Sequence, residues 1–207
     1  MQVFPRLIAI TDLEQLPAAL LEARVEALLA RAEPRSVMLQ LRDRATSARE
    51  RLALGSRLAK LTRRYRQLFA VNDRVDLAQL LGADALHLGE HSVSTADARA
   101  LLPSIWISRA CHDARAAAAI DADALLVSPV FAVRKGAAAL GLSELQIAAE
   151  LARARETPAL VYALGGVTPE RARRALMAGA HGVAAIGAAL GEASPLPLLD
   201  ALGIRAR

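Results

Sequence analysis

The glycine pair Gly165-Gly166 and the single Gly187 each close a short apolar run, Ala159 to Leu164 in one case and Gly182 to Ile186 in the other. Between them, Thr168 and Pro169 read as the cap and first residue of a helix that ends near Ala178-Gly179. Two buried strands joined by a helix make a parallel unit, and glycine at the strand ends leaves backbone N–H groups free to face an anion. The chemistry this offers is phosphate binding. The same glycines also suit a tight turn and a close helix approach, and one such unit does not choose between the two.

The elements that must position these turns repeat one alternation along the chain. Strand candidates fall at Leu7 to Thr11, Ser36 to Arg42, Leu68 to Asn72, Ala85 to Leu88, Ile105 to Cys111 and Ala124 to Phe131, with the two runs above as the seventh and eighth. Helical spacing of apolar residues fills the intervals: Leu16 to Arg31, Ser47 to Tyr65, a short helix after Val75, one capped by Ser94, an alanine-rich one from Asp113, and Ser143 to Arg155. A short last helix follows Pro195. Eight strands alternating with helices in 207 residues predict one domain over residues 1–207, a single (β/α)8 TIM barrel rather than an open doubly wound sheet.

In that architecture the chemistry sits at the carboxyl ends of the strands, and the rule gathers scattered polar residues into one candidate site. Gln40, Arg42 and Arg44 end the second strand, Asn72 and Asp73 the third, and His87, Glu90 and His91 end or follow the fourth. His112 follows the fifth, Arg134 and Lys135 lie in the loop after the sixth, and Gly165, Gly166, Ile186 and Gly187 finish the last two. Phosphate held by the last two loops recurs in such barrels, which favours the anion reading of the glycines.

Composition bounds the partners. The chain carries 26 Lys+Arg against 21 Asp+Glu, a formal net charge of +5. The arginines are scattered among acids on helices, and aromatics make up only 3%, too few for a base-stacking platform. An anionic small molecule is therefore the expected partner, not nucleic acid. Charge interrupts every apolar stretch before membrane-spanning length, so no membrane association is expected. The one cysteine, Cys111, excludes an internal disulfide framework and fits the cytoplasm. Strand alternation turns Cys111 away from His112, which makes it a packing residue, and separates His87, Glu90 and His91, which argues against zinc. His87 reads as a hydrogen-bonded wall residue, His181 as a solvated turn residue, and Arg63, Arg64 and Arg66 as a solvated helix end.

Three stretches carry a family resemblance. Gln40-Leu41-Arg42-Asp43-Arg44 resembles the QLR(E/D)K motif of the thiamin phosphate synthase and TenI superfamily. Asn72-Asp73-Arg74-Val75-Asp76, followed by Gly82-Ala83-Asp84-Ala85-Leu86-His87-Leu88-Gly89, is similar to its NDRVDLA…GADGVHLG signature. The Gly165-Gly166 turn and Ala178 to Ala184 resemble its GGI…AGADGVA end.

The resemblance implies a thiamin-pathway barrel whose synthase branch joins a pyrimidine diphosphate to a thiazole phosphate with Mg2+. By position, Gln40, Arg42 and Arg44 would bind the diphosphate, with Lys135 serving there at a shift of one residue, and Asn72 and Asp73 the pyrimidine and metal. Backbone groups at Gly165, Gly166, Ile186 and Gly187 would hold the thiazole phosphate. Departures from the synthase pattern are also visible. Ser92 stands where the synthases carry a second metal-binding aspartate, leaving Glu90 as a substitute; Ala110 replaces a serine; and Ala132 to Gly136 lacks the Thr-x-Thr-Lys run. These departures resemble the TenI branch, which isomerises a thiazole carboxylate phosphate without metal, with His112 in the position of the catalytic histidine. Without the resemblance, His112 reads as a cap for the helix from Asp113. The sequence thus places a tautomerase with no cofactor first, an Mg2+-dependent synthase second and a non-catalytic phosphate-binding barrel third. A homodimer is compatible with all three.

Overall fold

Eight short apolar runs become the strands β1 Leu7–Ile10, β2 Val37–Leu41, β3 Leu68–Asn72, β4 Ala85–Leu88, β5 Trp106–Cys111, β6 Ala124–Val127, β7 Leu160–Leu164 and β8 Gly182–Ala185. The structure is a computed structural model and describes residues 4–42, 46–132 and 138–206. Each strand pairs in parallel with the next, and β8 pairs back onto β1, so the sheet closes as the expected (β/α)8 barrel. The surrounding helices are α1 Ala18–Leu29, α2 Ala48–Arg64, α3 Val75–Leu81, α4 Thr95–Leu101, α5 Gly141–Arg153, α6 Pro169–Met177, α7 Gly187–Leu190 and α8 Leu196–Ala201. No helix among the described residues is long and apolar enough to cross a membrane.

Capping residues set three of these starts. The Ser47 hydroxyl accepts from the Glu50 N–H while the Glu50 carboxylate accepts from the Ser47 N–H, a reciprocal box that opens α2. Ser94 accepts from the Asp97 N–H at 3.0 Å, and Thr168 from the Arg171 N–H at 3.2 Å with Pro169 at the first helical position.

The two-residue period of each strand divides its side chains between two cores. Leu39, Leu41, Val71, Leu86, Leu88, Ile107, Val127 and Val183 face the helices. Ile8, Met38, Leu68, Ala85, Ala124, Leu126, Tyr162 and Ala184 fill the barrel axis. Cys111 belongs to the outer core; its thiol donates to the Asp113 carbonyl, and burial pushes its pKa up. It packs, as expected.

Three expectations are corrected. The alanine-rich stretch from Asp113 forms only a 3-10 turn, Ala114–Ala118, because the chain must re-enter the sheet at Ala124. The Asp113 side chain accepts from the Arg115 N–H and takes the capping role, so His112 is not the cap. The sixth strand stops at Val127, short of Phe131, since Pro129 brings no N–H to a ladder. The short α7 after β8 was not expected.

The floor of the barrel corrects a fourth. Phe4 stacks on Trp106 at 5.2 Å, the buried Tyr162 hydroxyl donates to the Pro5 carbonyl at 2.6 Å, and His181 Nε2 donates to the Phe4 carbonyl at 3.2 Å. His181 is therefore held half-buried under the N-terminal segment, edge-on to Tyr162, rather than fully solvated. Burial holds its pKa below the ordinary 6.5, against the hydrogen bond to Phe4, which raises it; nearby Arg6 lowers it further. Above 6.5 the ring is neutral whether the chain is folded or unfolded; as pH falls, the unfolded chain takes the proton first. Tm is expected to fall on acidification below about 6.5, the ordinary histidine value, and His181→Gln to flatten that fall in thermal melts across pH 5–8. Arg63, Arg64 and Arg66 are exposed, as the solvated reading has it, and Arg64 with the Tyr65 hydroxyl meets Glu26, at 3.0 and 2.8 Å.

Candidate functional site

At the carboxyl ends of the strands the barrel opens into a cavity of about 990 Å³. The inward-facing strand period builds its wall: after Met38 comes Gln40, after Ala70 comes Asn72, after Ala85 comes His87, and after Leu126 comes Ser128. The side chains thus turn from apolar in the barrel to polar at its mouth. Gln40 and Asn72 are buried, and the Gln40 amide donates to Asn72 Oδ1 at 3.3 Å. His87 is also buried, with Nδ1 2.9 Å from the Ser108 hydroxyl, the wall residue expected. Arg42 reaches the cavity on a backbone fixed by Thr11, whose hydroxyl accepts from the Arg42 N–H at 2.9 Å.

Across β3 and β4 the cavity is lined by Asp73, Glu90, His91 and Ser92. Asp73 adopts a positive φ of 69° and donates its N–H to the His87 carbonyl at 2.8 Å. The Ser92 hydroxyl donates to Asp73 Oδ1 and accepts from the Gly89 N–H at 2.7 Å. Among the described residues no protein group bonds Asp73 Oδ2. Glu90 lines the cavity and is exposed, without a described partner.

His112 lies at the rim beyond β5, exposed. Its Nδ1 is 2.7 Å from the Ser128 carbonyl, an oxygen that can only accept, so Nδ1 carries the hydrogen and Nε2 keeps the lone pair of the neutral ring. Among the described residues nothing occupies Nε2. A ring so held can take up and return a proton at one nitrogen without rotating.

The opposite side is made by the turns after β7 and β8. Leu164 lies opposite Ala184 in the parallel register, so the two turns leave the sheet side by side. Gly165 and Gly166 have φ of 95° and 61°; a Cβ would meet Pro129 Cβ at 2.8 Å in the first and the Ala132 carbonyl at 2.6 Å in the second. Glycine is required at both. Among the described residues the N–H groups of Gly165, Gly166, Gly187 and Ala188 have no protein acceptor, the condition an anion cup needs. Gly165 and Ile186 line the cavity itself, whereas Gly166 and Gly187 stand one residue beyond it.

The fold thus gathers Gln40, Arg42, Asn72, Asp73, Glu90, His112, Gly165 and Ile186 around one space. Arg44, Arg134 and Lys135 lie outside the described residues. Sequence reasoning missed Gln15, Arg51 and Ser128, which also line it. The signal for Ser128 was available, two residues beyond inward-facing Leu126; Gln15 sits in the turn before α1 and Arg51 on α2, segments whose approach no local pattern encodes. Among the described residues no three His, Cys, Asp or Glu side chains gather to hold a metal.

A closed parallel barrel with a polar cavity at its strand carboxyl ends is a (β/α)8 barrel in the layout that enzymes of this fold use. A family model described as thiamine monophosphate synthase matches residues 7–189. The thiamine-phosphate synthase of Mycobacterium bovis is 39% identical over 166 residues, 73% of either chain. That of Gloeobacter violaceus is 36% identical over 164 residues, 76% of this chain and 47% of its own. The solved thiamine phosphate pyrophosphorylase from Pyrococcus furiosus superposes with a TM-score of 0.81 at 29% identity, over 96% of this chain and 95% of that one. The chain belongs to the thiamine monophosphate synthase and TenI family of thiamin-biosynthesis enzymes.

Proposed function

We propose that this chain couples a pyrimidine diphosphate to thiazole phosphate with Mg2+, reversing the order in which the sequence placed the two activities. The observation that carries the reading is a cavity of about 990 Å³ with two separate polar ends. A single thiazole phosphate needs only the backbone N–H groups after β7 and β8. The other end, with Arg42, Gln40, Asn72 and Asp73, suits a second substrate that has a hydrogen-bonding ring and a concentrated negative charge. The synthase names of the relatives at 36–39% identity support the same choice.

The residues present fit the cation in one form. Asp73 offers one hard oxygen and Glu90 stands at the same wall, but they form no closed cage; Mg2+ held by few carboxylates takes its remaining ligands from water and substrate phosphate. When bound, the ion neutralises charge on the departing diphosphate. In this proposal Arg42 shares that neutralisation, and Arg44 and Lys135 complete it as the resemblance implies. Gln40 and Asn72 present their amides to the pyrimidine edge, each fixing the other. Gly165, Gly166 and Gly187 hold the thiazole phosphate through backbone N–H groups and Ile186 packs beside it, so the thiazole nitrogen faces the carbon that loses diphosphate. That nitrogen attacks with its own lone pair, the carbon–oxygen bond breaks, and no proton need move at the reacting atoms.

A tautomerase remains the second reading, favoured by His112, whose Nδ1 is tied to Ser128 while Nε2 is open. A proton NMR time course separates the two, run with pyrimidine diphosphate, thiazole phosphate and the non-aromatic thiazole carboxylate phosphate, with and without Mg2+. Thiamin phosphate is expected to accumulate only with Mg2+. Tautomer conversion without coupling, abolished in His112→Ala, would instead establish the isomerase, and binding of thiazole phosphate with neither reaction would leave the non-catalytic barrel.

A further inference from the structure

Arg109 stands on β5 facing away from the barrel axis, between the inward-facing Ser108 and Ala110. Its guanidinium spans a loop: Nη2 donates to the Gly89 carbonyl at 3.2 Å, and Nη1 to the Val93 carbonyl at 3.0 Å and the Thr95 hydroxyl at 3.4 Å. Among the described residues it meets no carboxylate. The segment between those two carbonyls carries Glu90, His91 and Ser92, all on the cavity wall. The Gly89 N–H donates to the Ser92 hydroxyl at 2.7 Å, and that hydroxyl donates to Asp73 Oδ1. The Gly89 carbonyl also accepts from the Ser92 N–H at 3.3 Å, so hydrogen bonds link the outer face of β5 through Ser92 to a carboxylate in the cavity.

We propose that Arg109 is a positioning residue for Asp73. By clamping both ends of the Gly89–Val93 loop it holds Ser92 where its hydroxyl fixes Oδ1 and leaves Oδ2 for a divalent cation. This rests on the reading of Asp73 as a cation ligand given above. The planar fork of arginine reaches two carbonyls at once; a lysine ammonium keeps the charge but cannot span the loop in the same way. Ser92 is then an orienting hydroxyl at a position where the resemblance expects a ligand. The carboxylate it orients is the principal protein contribution to the ion.

The test is Mn2+ binding followed by electron paramagnetic resonance with inorganic pyrophosphate present, for the wild type, Arg109→Met, Arg109→Lys, Ser92→Ala and the Arg109→Met/Ser92→Ala double variant. Calorimetric titration with thiazole phosphate runs beside it. Arg109→Met and Ser92→Ala are each expected to weaken Mn2+ about tenfold, the lower end for removing a group that orients a metal ligand. The double variant should be no weaker than Ser92→Ala, because the two act through one line of bonds. Arg109→Lys should fall between, and thiazole phosphate affinity should not change. Unaltered Mn2+ binding in Arg109→Met, losses that multiply in the double variant, or equal losses for Mn2+ and thiazole phosphate would each overturn the proposal. A wild type that obeys this pattern yet makes no thiamin phosphate removes the synthase reading and leaves Arg109's role; one that makes thiamin phosphate but breaks the pattern removes the role alone.

Discussion

Asp73→Asn is expected to slow Mg2+-dependent coupling by roughly two to three orders of magnitude, the loss typical when one preorganised charge-stabilising group is removed. The amide keeps the shape of the side chain and an oxygen for the Ser92 hydroxyl, so the wall is preserved. What disappears is the one negative charge that this turn holds in place, on a backbone with φ of 69° and an N–H tied to His87. The glycine turns after β7 and β8 lie across the cavity, and thiazole phosphate affinity should stay as it is. Initial rates at saturating substrates, with calorimetry of thiazole phosphate alongside, check both halves. If coupling survives undiminished in Asp73→Asn, the carboxylate is not the group that holds the cation.

Gly182→Ala is expected to be the most damaging single methyl in the closing seam. Its Cβ would lie 2.2 Å from the Arg6 carbonyl oxygen and 2.9 Å from Arg6 Cα, backbone atoms that no rotamer can move aside. The next residue, Val183, donates its N–H to that same carbonyl at 2.9 Å, so the strain falls on the bond that joins β8 to the chain entering β1. The cost should be about 3 kcal/mol, the upper end for overpacking. At about 2–4 °C per kcal/mol for a chain of this size, Tm should fall by roughly 6–12 °C. Gly187→Ala, where no atom stands within 4 Å of the new Cβ, should melt close to wild type and serves as the control.

Most of the frame was legible because each strand ends at a local sign. Leu68–Asn72 and Ala85–Leu88 fall where the apolar runs do, Ser94 and Thr168 cap the helices they were expected to cap, and α2 starts beside Ser47 as expected. Errors arose where distance overrode propensity. Alanine favours helix from Asp113 onward, but the approach of β6 leaves room for one tight turn. His181 looked solvated because the groups that cover it, Phe4 and Pro5, come from the other end of the chain. Most residues of the candidate site followed from one rule about strand ends, yet the inward period that brings Ser128 beside His112 was applied too sparingly. The Arg109 clamp left no local trace: an arginine in an apolar strand gives no indication of which loop it will hold.

The pairing of β1 with β8 also governs how the protein is made. Leu7 and Val183 are register partners, so a ribosome releases the first strand long before its second neighbour exists. Throughout that interval the growing sheet carries a bare edge at β1 and another at whichever strand emerged last, and such edges pair readily with other chains. The nascent polypeptide is thus most exposed to aggregation just before its last strand emerges, and its yield in a cell should depend on chaperone supply during synthesis more than on the stability of the closed barrel.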